Sequence, residues 1–341
     1  MSARLGIGAL VFLWLAAAPA LAAPQYQLTK TVKLGAPERW DYVVYDAPSH
    51  RVYIAHGDRV SVVDGRDGTV LGDIASFPGG THGTAIAPAT GRGYTDDGKA
   101  GVAVSFDLKT LEPIKQIPAA PDADGMVFDP ASGHVFVVDG DTAKITVIDP
   151  ATDTAIANID GGGGLETAAA DGHGKVFVNG AEKGDIVVID TATDKVIAHY
   201  PVPGCQRPHG LAVDTETERL FTTCVNGVMI VVDGNTGANL ASLPIGKGTD
   251  AAAFDPKRKL AFSSNGEGTV TVVQERDPKT FQVAETVQTA PGARTMAVDP
   301  ETGRLFLVTA DIASVTPPTI PGGRPHVTYV PGSMKLMFFD P

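Results

Sequence analysis

Seven polar side chains recur at one position of a repeated pattern in this sequence. They are four carboxylates, two histidines and one arginine, in chain order Asp41, His82, Asp124, Glu166, His209, Asp250 and Arg294. Carboxylate oxygen and imidazole nitrogen bind divalent metal ions, and the same groups transfer protons in general acid–base catalysis. If these side chains meet in space, we expect a site for a cation, for a small polar ligand or for metal-assisted chemistry.

The repeated pattern is an apolar strand that ends at an anchor residue and is followed by a turn and a β-branched run. The anchors lie 41 to 44 residues apart, at Asp46, Ala87, Asp129, Asp171, Asp214, Asp255 and Asp299. Such a unit holds four short strands, which is typical of a propeller blade and not of a helical repeat. Each of the seven polar residues lies five positions before its anchor, where the chain enters the innermost strand. The pattern therefore predicts an all-β, seven-bladed propeller with these residues around the mouth of its central channel.

The two ends of the chain predict how the ring closes. The last unit stops at the end of its third strand, in residues 335–341, whereas residues 26–34 form a spare strand before the first unit. Pairing that spare strand into the last blade removes an exposed sheet edge. We therefore expect residues 23–341 to form a single domain closed by an N-terminal strand.

The charges of the rim, as we call the seven polar residues, favour a bound cation. Four carboxylates and one arginine give it a formal charge of −3 when both histidines are neutral. The expected metal ligands are His82, His209, Asp41, Glu166 and Asp250. The expected catalytic residues are His82, His209, Asp250 and Arg294, and the expected ligand-binding residues are Asp41, Asp124, Glu166, Arg294 and His326. An alternative stays open, in which the rim side chains only hydrogen-bond the backbone of neighbouring blades.

Two further features lie on the same face as the rim. Cys205 and Cys224 fall in connections that emerge on that face, so we expect them to form a disulfide.

A Pro- and Gly-rich insertion at about residues 311–333 carries Arg324, His326 and Tyr329. It is expected to be a lid or a binding element, with a rigid surface excursion as the alternative. Other loops on this face carry the polar residues His56, Asp96, Asp97, Asp139, Asp141, Asn179, Glu182, Asn226, Asn265 and Glu267. Most of them are expected to be solvated turn residues. His56 and Asn265 are outside candidates for ligand contact.

The N-terminus and the composition indicate the compartment. Residues 1–22 have the basic start, apolar run and small-residue exit of a cleaved secretory signal, and no later segment is long enough to span a bilayer. We therefore expect an exported, periplasmic or secreted monomer without a membrane span. A net charge of −12 and an isoelectric point near 5.0 argue against nucleic-acid binding, which depends on neutralising phosphates.

The chain resembles the YVTN beta-propeller repeat family, in its exported YncE-like branch, over nearly the whole mature length. The stretches that carry the resemblance are Trp40-Asp41-Tyr42, His82-Gly83, Cys205 with Cys224, Val228-Met229-Ile230-Val231-Val232-Asp233, Ala261-Phe262-Ser263-Ser264-Asn265-Gly266, Ala293-Arg294-Thr295-Met296-Ala297 and Val330-Pro331-Gly332-Ser333. The resemblance implies a seven-bladed periplasmic propeller and makes six rim positions typical of the branch. His209 departs from the small polar residue expected there.

Three functions remain open at this stage. The first is a propeller that binds a divalent ion or a small polar ligand at the channel mouth without turnover. The second is a metal-dependent hydrolase or lyase, in which Arg294 stabilises developing negative charge. The third is a scaffold that holds another envelope protein. Fold alone does not rank them, because propellers serve all three functions.

Overall fold

A computed structural model describes residues 25–318 and 325–341. The expected signal segment 1–22 and Arg324 lie outside the described residues. Seven four-stranded antiparallel sheets follow one another around a ring, and an additional two-stranded ribbon belongs to blade 7. The chain is therefore a seven-bladed β-propeller, as the repeat predicts.

The strands of each blade run in chain order from the channel outwards. Blade 1 comprises Val43–Asp46, Arg51–His56, Arg59–Asp64 and Val70–Ala75. Blade 2 comprises Thr84–Ala87, Arg92–Asp97, Val102–Asp107 and Pro113–Pro118, with 3-10 turns at Pro88–Thr90 and Gly98–Ala100. Blade 3 comprises Ala123–Asp129, His134–Asp139, Lys144–Asp149 and Thr154–Asp160. Blade 4 comprises Ala168–Ala170, Lys175–Gly180, Asp185–Asp190 and Lys195–Pro201.

The remaining blades follow the same plan until the last one. Blade 5 comprises Pro208–Asp214, Arg219–Cys224, Val228–Asp233 and Asn239–Pro244. Blade 6 comprises Thr249–Asp255, Leu260–Asn265, Thr269–Asp277 and Thr280–Gln288. Blade 7 takes three strands from the C-terminal part of the chain and its outermost strand from the N-terminal part: Thr295–Val298, Leu305–Thr309, Met334–Asp340 and Gln27–Gly35.

The N-terminal strand closes the ring. Its register on the last strand runs antiparallel from Gln27 opposite Asp340 to Gly35 opposite Met334. Just before it, the ring of Tyr26 packs edge-on against Phe262 of blade 6 at 5.6 Å between centroids. The sequence-based prediction of closure by residues 26–34 is thus confirmed.

Apolar faces of neighbouring blades form the core. Phe136 and Val138 of blade 3, for example, pack with Val176 and Val187 of blade 4, and all four are fully buried. Burying a side chain of this size contributes roughly 1.5–3 kcal/mol. Because every blade is held on both sides in this way, the innermost strands are fixed in place around the channel.

The insertion in blade 7 is a β-ribbon. Its strands Ile312–Thr316 and His326–Tyr329 pair antiparallel. At its base, the backbone N–H of Val330 donates to the Asp311 carbonyl at 2.7 Å, and the Ser333 hydroxyl accepts from the Asp311 N–H at 2.9 Å. No helix in the described ranges is long and apolar enough to cross a bilayer.

Cys205 and Cys224 form the expected disulfide, with a Cα–Cα distance of 5.3 Å. Cys205 lies in the connection between blades 4 and 5. Cys224 is the last residue of a strand and not a loop residue as expected from the sequence, because it still pairs with Pro208 in the sheet. The bond therefore ties the entry of blade 5 to its second strand.

Candidate functional site

Irregular backbone at the entry of several innermost strands directs the rim side chains. The sheet register shifts between Ala123 and Met126 in blade 3, between Pro208 and Leu211 in blade 5 and between Thr249 and Ala251 in blade 6. A bulge of this kind bends the strand and re-aims a side chain. Asp124, His209 and Asp250 lie within these irregular stretches.

Asp250 holds two rim partners at once. Its Oδ2 accepts from Arg294 Nε at 2.6 Å, and its Oδ1 lies 3.1 Å from His209 Nδ1. Burial alone would raise the pKa of Asp250, but the hydrogen bond from His209 and the charge of Arg294 lower it below its ordinary value. Asp250 is thus an ionised carboxylate between two donors.

His209 links the rim carboxylates of the two blades beside it. The Nδ1 that contacts Asp250 also lies 3.5 Å from Glu166 Oε2. Burial acts to lower the pKa of His209, but the hydrogen bond to Asp250 and the charge of Glu166 outweigh burial and raise that pKa. The imidazole therefore carries more positive charge near neutral pH than an exposed histidine does.

Asp41 and Asp124 form the crowded acidic centre of the rim. Burial and the carboxylate of Asp250 raise the pKa of Asp41 to about 7. Burial and the carboxylate of Asp41 raise the pKa of Asp124 well above its ordinary value, and Glu166 adds to the effect. Since carboxylates raise one another's pKa only when they lie close together, residues from blades 1, 3, 4 and 6 converge at the mouth.

His82 is held by a residue that the sequence analysis expected to be solvated. Its Nδ1 donates to Asp96 Oδ2 at 2.7 Å, and its Nε2 lies 3.2 Å from Arg39 Nη2. Burial acts to lower the pKa of His82, but the hydrogen bond and charge of Asp96 raise it to about 9. Asp96 also accepts the backbone N–H groups of His82 and Gly83 at 2.8 and 2.9 Å.

Six of the ten polar loop residues named above lie at the ends of the second strands of their blades. The expectation that such residues are solvated is wrong for these six. His56, Asp96, Asp97, Asp139, Asn179 and Asn265 are all 5% exposed or less. Asp96 and Asn179 among them turn back to bond backbone groups of the connections, which need partners when buried. Asn179 donates to the carbonyls of His209 and Gly210, and His56 contacts Ser61 and the Pro37 carbonyl. The other outside candidate, Asn265, donates to Thr269 and Thr271.

The ribbon of blade 7 packs onto the rim through aromatic rings. Tyr329 meets Trp40 edge-on at 5.2 Å between ring centroids, and the Arg294 guanidinium lies over the Trp40 ring at 5.4 Å. Arg294 Nη2 also reaches the Trp40 carbonyl at 3.5 Å, so one rim side chain does hydrogen-bond the backbone of the next blade. Most other rim contacts join side chains to one another.

Just below the rim, the central channel is narrow. A cavity of about 170 Å³ is lined by residues of the innermost strands of all seven blades, among them Val43, Met126 and Met296. The hydroxyls of Tyr42 in blade 1 and Thr167 in blade 4 lie 3.1 Å apart. Because these blades stand on opposite sides of a seven-membered ring, this contact spans the channel.

An acidic cavity of about 480 Å³ opens beside the channel mouth. Its wall carries five carboxylates and one guanidinium, from Asp122, Asp124, Asp141, Glu166, Glu182 and Arg207. Two of the carboxylates, Asp124 and Glu166, belong to the rim. Asp141 and Glu182 are among the loop residues expected to be solvated, whereas no sequence pattern singled out Asp122 and Arg207.

A second cavity of about 580 Å³ lies on the other side of Arg207. Arg207, His209, Asp250 and Arg294 supply its charged groups, and Val225, Pro325 and Val327 supply apolar wall. His326 is exposed on the ribbon and lies between two lining residues, so strand alternation turns it away from this cavity. Three of the four proposed catalytic residues thus meet here, and His82 lies apart.

One three-residue group in the described ranges has the spacing of a metal site, and it is not at the rim. Asp171, His173 and Glu218 offer ligand atoms that lie within 4.8 Å of one another. His173 Nδ1 contacts Glu218 at 3.0 Å, while Lys175 Nζ lies 3.9 Å from the same carboxylate. Asp171 is an anchor at the far end of an innermost strand, so this group lies on the face opposite the mouth.

Comparisons with known proteins show the fold and no more. No family model matches the chain, and no curated protein matches it. Among solved structures, the Kuenenia stuttgartiensis hydrazine synthase is 15% identical with a TM-score of 0.69, over 88% of this chain and 97% of that one. The U3-55K structure is 9% identical with a TM-score of 0.75, over 93% and 99%. The RRP9 WD40 repeats are 10% identical with a TM-score of 0.75, over 93% and 98%.

Proposed function

We propose that this protein is an exported β-propeller that binds a small cation, a divalent metal ion or an organic ammonium, at the mouth of its channel. The observation that carries the proposal is the acidic cavity, which gathers five carboxylates against one guanidinium beside the rim. Carboxylates held this close repel one another unless a cation lies among them or they take up protons. A cavity of about 480 Å³ has room for such a guest with part of its hydration shell.

The raised pKa values at the rim support a cation site. Asp41 has a pKa of about 7, and the pKa of Asp124 is raised well above its ordinary value. These carboxyl groups therefore keep part of their protons near neutral pH. A bound cation favours the ionised form, so binding is expected to release protons.

Calorimetric titration with Mn²⁺ and with hexylamine tests the proposal. We expect Asp124→Asn/Glu166→Gln to weaken binding of the preferred cation at least tenfold, and we expect proton release when buffers of different ionisation enthalpy are compared. Glu218→Gln is the matched control, because it removes a carboxylate from the group on the opposite face. If Mn²⁺ binding survives the rim variant and is lost in the control, the metal site is the opposite face. If neither cation binds the unaltered protein, the proposal is wrong.

Export to the periplasm is part of the same proposal. The disulfide between Cys205 and Cys224 supports it, because such bonds persist in oxidising compartments. The signal-like residues 1–22 and the resemblance to the YVTN family, YncE-like branch, point the same way. Cell fractionation tests it: mature protein that begins near residue 23 is expected in the periplasm or the medium, and full-length protein in the cytoplasm would contradict it.

A hydrolase or lyase is the second candidate function, and the pairing of His82 with Asp96 favours it. A carboxylate that holds one imidazole nitrogen fixes the ring, and the other nitrogen, 3.2 Å from Arg39 Nη2, is the one that would transfer a proton. With its pKa raised to about 9, His82 is protonated at neutral pH and suits the role of a general acid. This candidate requires a substrate that is turned over by the unaltered protein and not by His82→Gln, with the fold unchanged by circular dichroism.

A further inference from the structure

The channel mouth is divided into two halves of opposite charge. The acidic cavity lies on one side, and the second cavity, on the side of blades 5 to 7, carries two guanidiniums and a histidine against a single carboxylate. Arg207 lines both cavities, so they adjoin at its side chain. A ligand that fills both must offer a positive group to one half and a negative group to the other.

Arg207 is held at this boundary in an unusual backbone conformation. Its φ is 46°, in the left-handed region that non-glycine residues seldom adopt. The loop is fixed by the disulfide of Cys205 and by hydrogen bonds on each side of it. Gln206 N donates to Asn226 Oδ1 at 3.0 Å, and Val225 N donates to the Gln206 carbonyl at 3.1 Å. Backbone strain that the surrounding structure maintains is a common feature of ligand sites.

The second half also contains a polar atom that has no hydrogen-bond partner among the described residues. His209 is 7% exposed, and within the described structure its Nε2 has no hydrogen-bond partner. A buried imidazole N–H without a partner is unfavourable, and this one lies beneath the wall of the second cavity. The apolar wall of Val225, Pro325 and Val327 adds a surface for a short carbon chain.

We propose that the ligand is a zwitterion, in which an ammonium group occupies the acidic cavity and a carboxylate, joined to it by a short carbon chain, lies against Arg207 and His209 in the second cavity. This inference rests on the proposed cation site and specifies the class of molecule that occupies it. Among the charged residues that line the two cavities, only Arg207 borders both. Arg207 is therefore the residue that determines specificity.

Three probes of equal chain length separate the two halves: 6-aminohexanoate, hexylamine and hexanoate. Titrated into the mature protein with its disulfide intact, 6-aminohexanoate is expected to bind at least tenfold more tightly than either probe of single charge. Arg207→Gln should abolish the difference in affinity between 6-aminohexanoate and hexylamine, and Arg207→Lys should restore part of that difference. Because the Arg207 side chain is 60% exposed, these variants are expected to fold.

Arg66→Gln is the control for loss of a positive charge, since that side chain is 65% exposed and pairs with Asp64 at the end of a third strand, on the face away from the mouth. It should leave all three affinities unchanged. If hexylamine binds as tightly as 6-aminohexanoate, the zwitterion inference is wrong while the cation site stands. If hexanoate binds and hexylamine does not, the inference and the cation site both fail.

Discussion

At the scale of single residues, neighbours from other blades set the pKa values of the aspartates at the mouth. Asp250 keeps a lowered pKa because Arg294 and His209 donate to it, whereas Asp41 has a pKa of about 7 without a comparable pair of donors. Both are aspartates at equivalent positions of the repeat. Their chemistry therefore differs because of their neighbours in space.

Glu275 provides a test of this reasoning away from the rim. It is 4% exposed, and burial together with the Asp214 carboxylate raises its pKa to about 7. The folded state thus keeps a proton that the unfolded state loses above about pH 4.5. The contribution of Glu275 to the free energy of unfolding is therefore greatest at low pH and falls as pH rises from about 4.5 to 7.

We predict that Glu275→Gln raises the free energy of unfolding by roughly 2 kcal/mol at pH 8 and changes it little at pH 5. Urea denaturation at the two pH values measures the difference. Glu216→Gln is the control, because that side chain is 76% exposed and should show no such pH dependence. Equal effects of Glu275→Gln at both pH values would contradict the prediction.

At the scale of structural elements, close approach of the innermost strands explains the glycine that follows the rim residue His82. A Cβ on Gly83 would lie 2.3 Å from the Asp124 carbonyl oxygen, which is closer than real contacts allow. A Cβ on Gly125, at the equivalent place in blade 3, would meet nothing nearer than 3.5 Å. The His82-Gly83 and Asp124-Gly125 pairs therefore look alike in sequence and differ in how tightly they are packed.

We predict that Gly83→Ala destabilises the fold by about 1–3 kcal/mol, because the strands of blades 2 and 3 must separate to admit the methyl group. Gly125→Ala is the matched control and should have a much smaller effect. Thermal unfolding of the two variants beside the unaltered protein provides the measurement. A smaller loss of Tm in Gly83→Ala than in Gly125→Ala would contradict the packing seen here.

The elements also show what the sequence could and could not predict. The blade count followed from the spacing of the repeat, and the closing strand followed from the missing fourth strand of the last unit. Burial of Asp96 and the boundary position of Arg207 did not follow. The first depends on hydrogen bonds that Asp96 accepts from His82 and Gly83, and the second on loops from different blades that meet at Arg207; neither leaves a local pattern in the sequence.

At the scale of the whole molecule, one strand from the beginning of the chain completes the last sheet. Without Gln27–Gly35, the strand Met334–Asp340 would present an unpaired edge and the ring would be open. The closing strand also covers apolar surface, since Val32 and Leu34 pack against the core between blades 7 and 1. Stability of all blades should therefore depend on it.

We predict that removal of residues 1–35 lowers the Tm on the order of 10 °C and promotes self-association through the exposed edge. Removal of residues 1–24 is the control, since the closing strand and Tyr26 remain. Differential scanning calorimetry and size-exclusion chromatography give the two readouts. Equal Tm values for the two truncated proteins would show that the ring does not need this strand.

The contact between Tyr42 and Thr167 decides how solutes reach the interior of the disc. With these hydroxyls 3.1 Å apart, the contact crosses the channel and narrows the path from one face of the disc to the other. A ligand at the mouth is therefore expected to enter and leave on the rim side of this contact. Substitutions on the far face are then expected to leave its exchange rate unchanged.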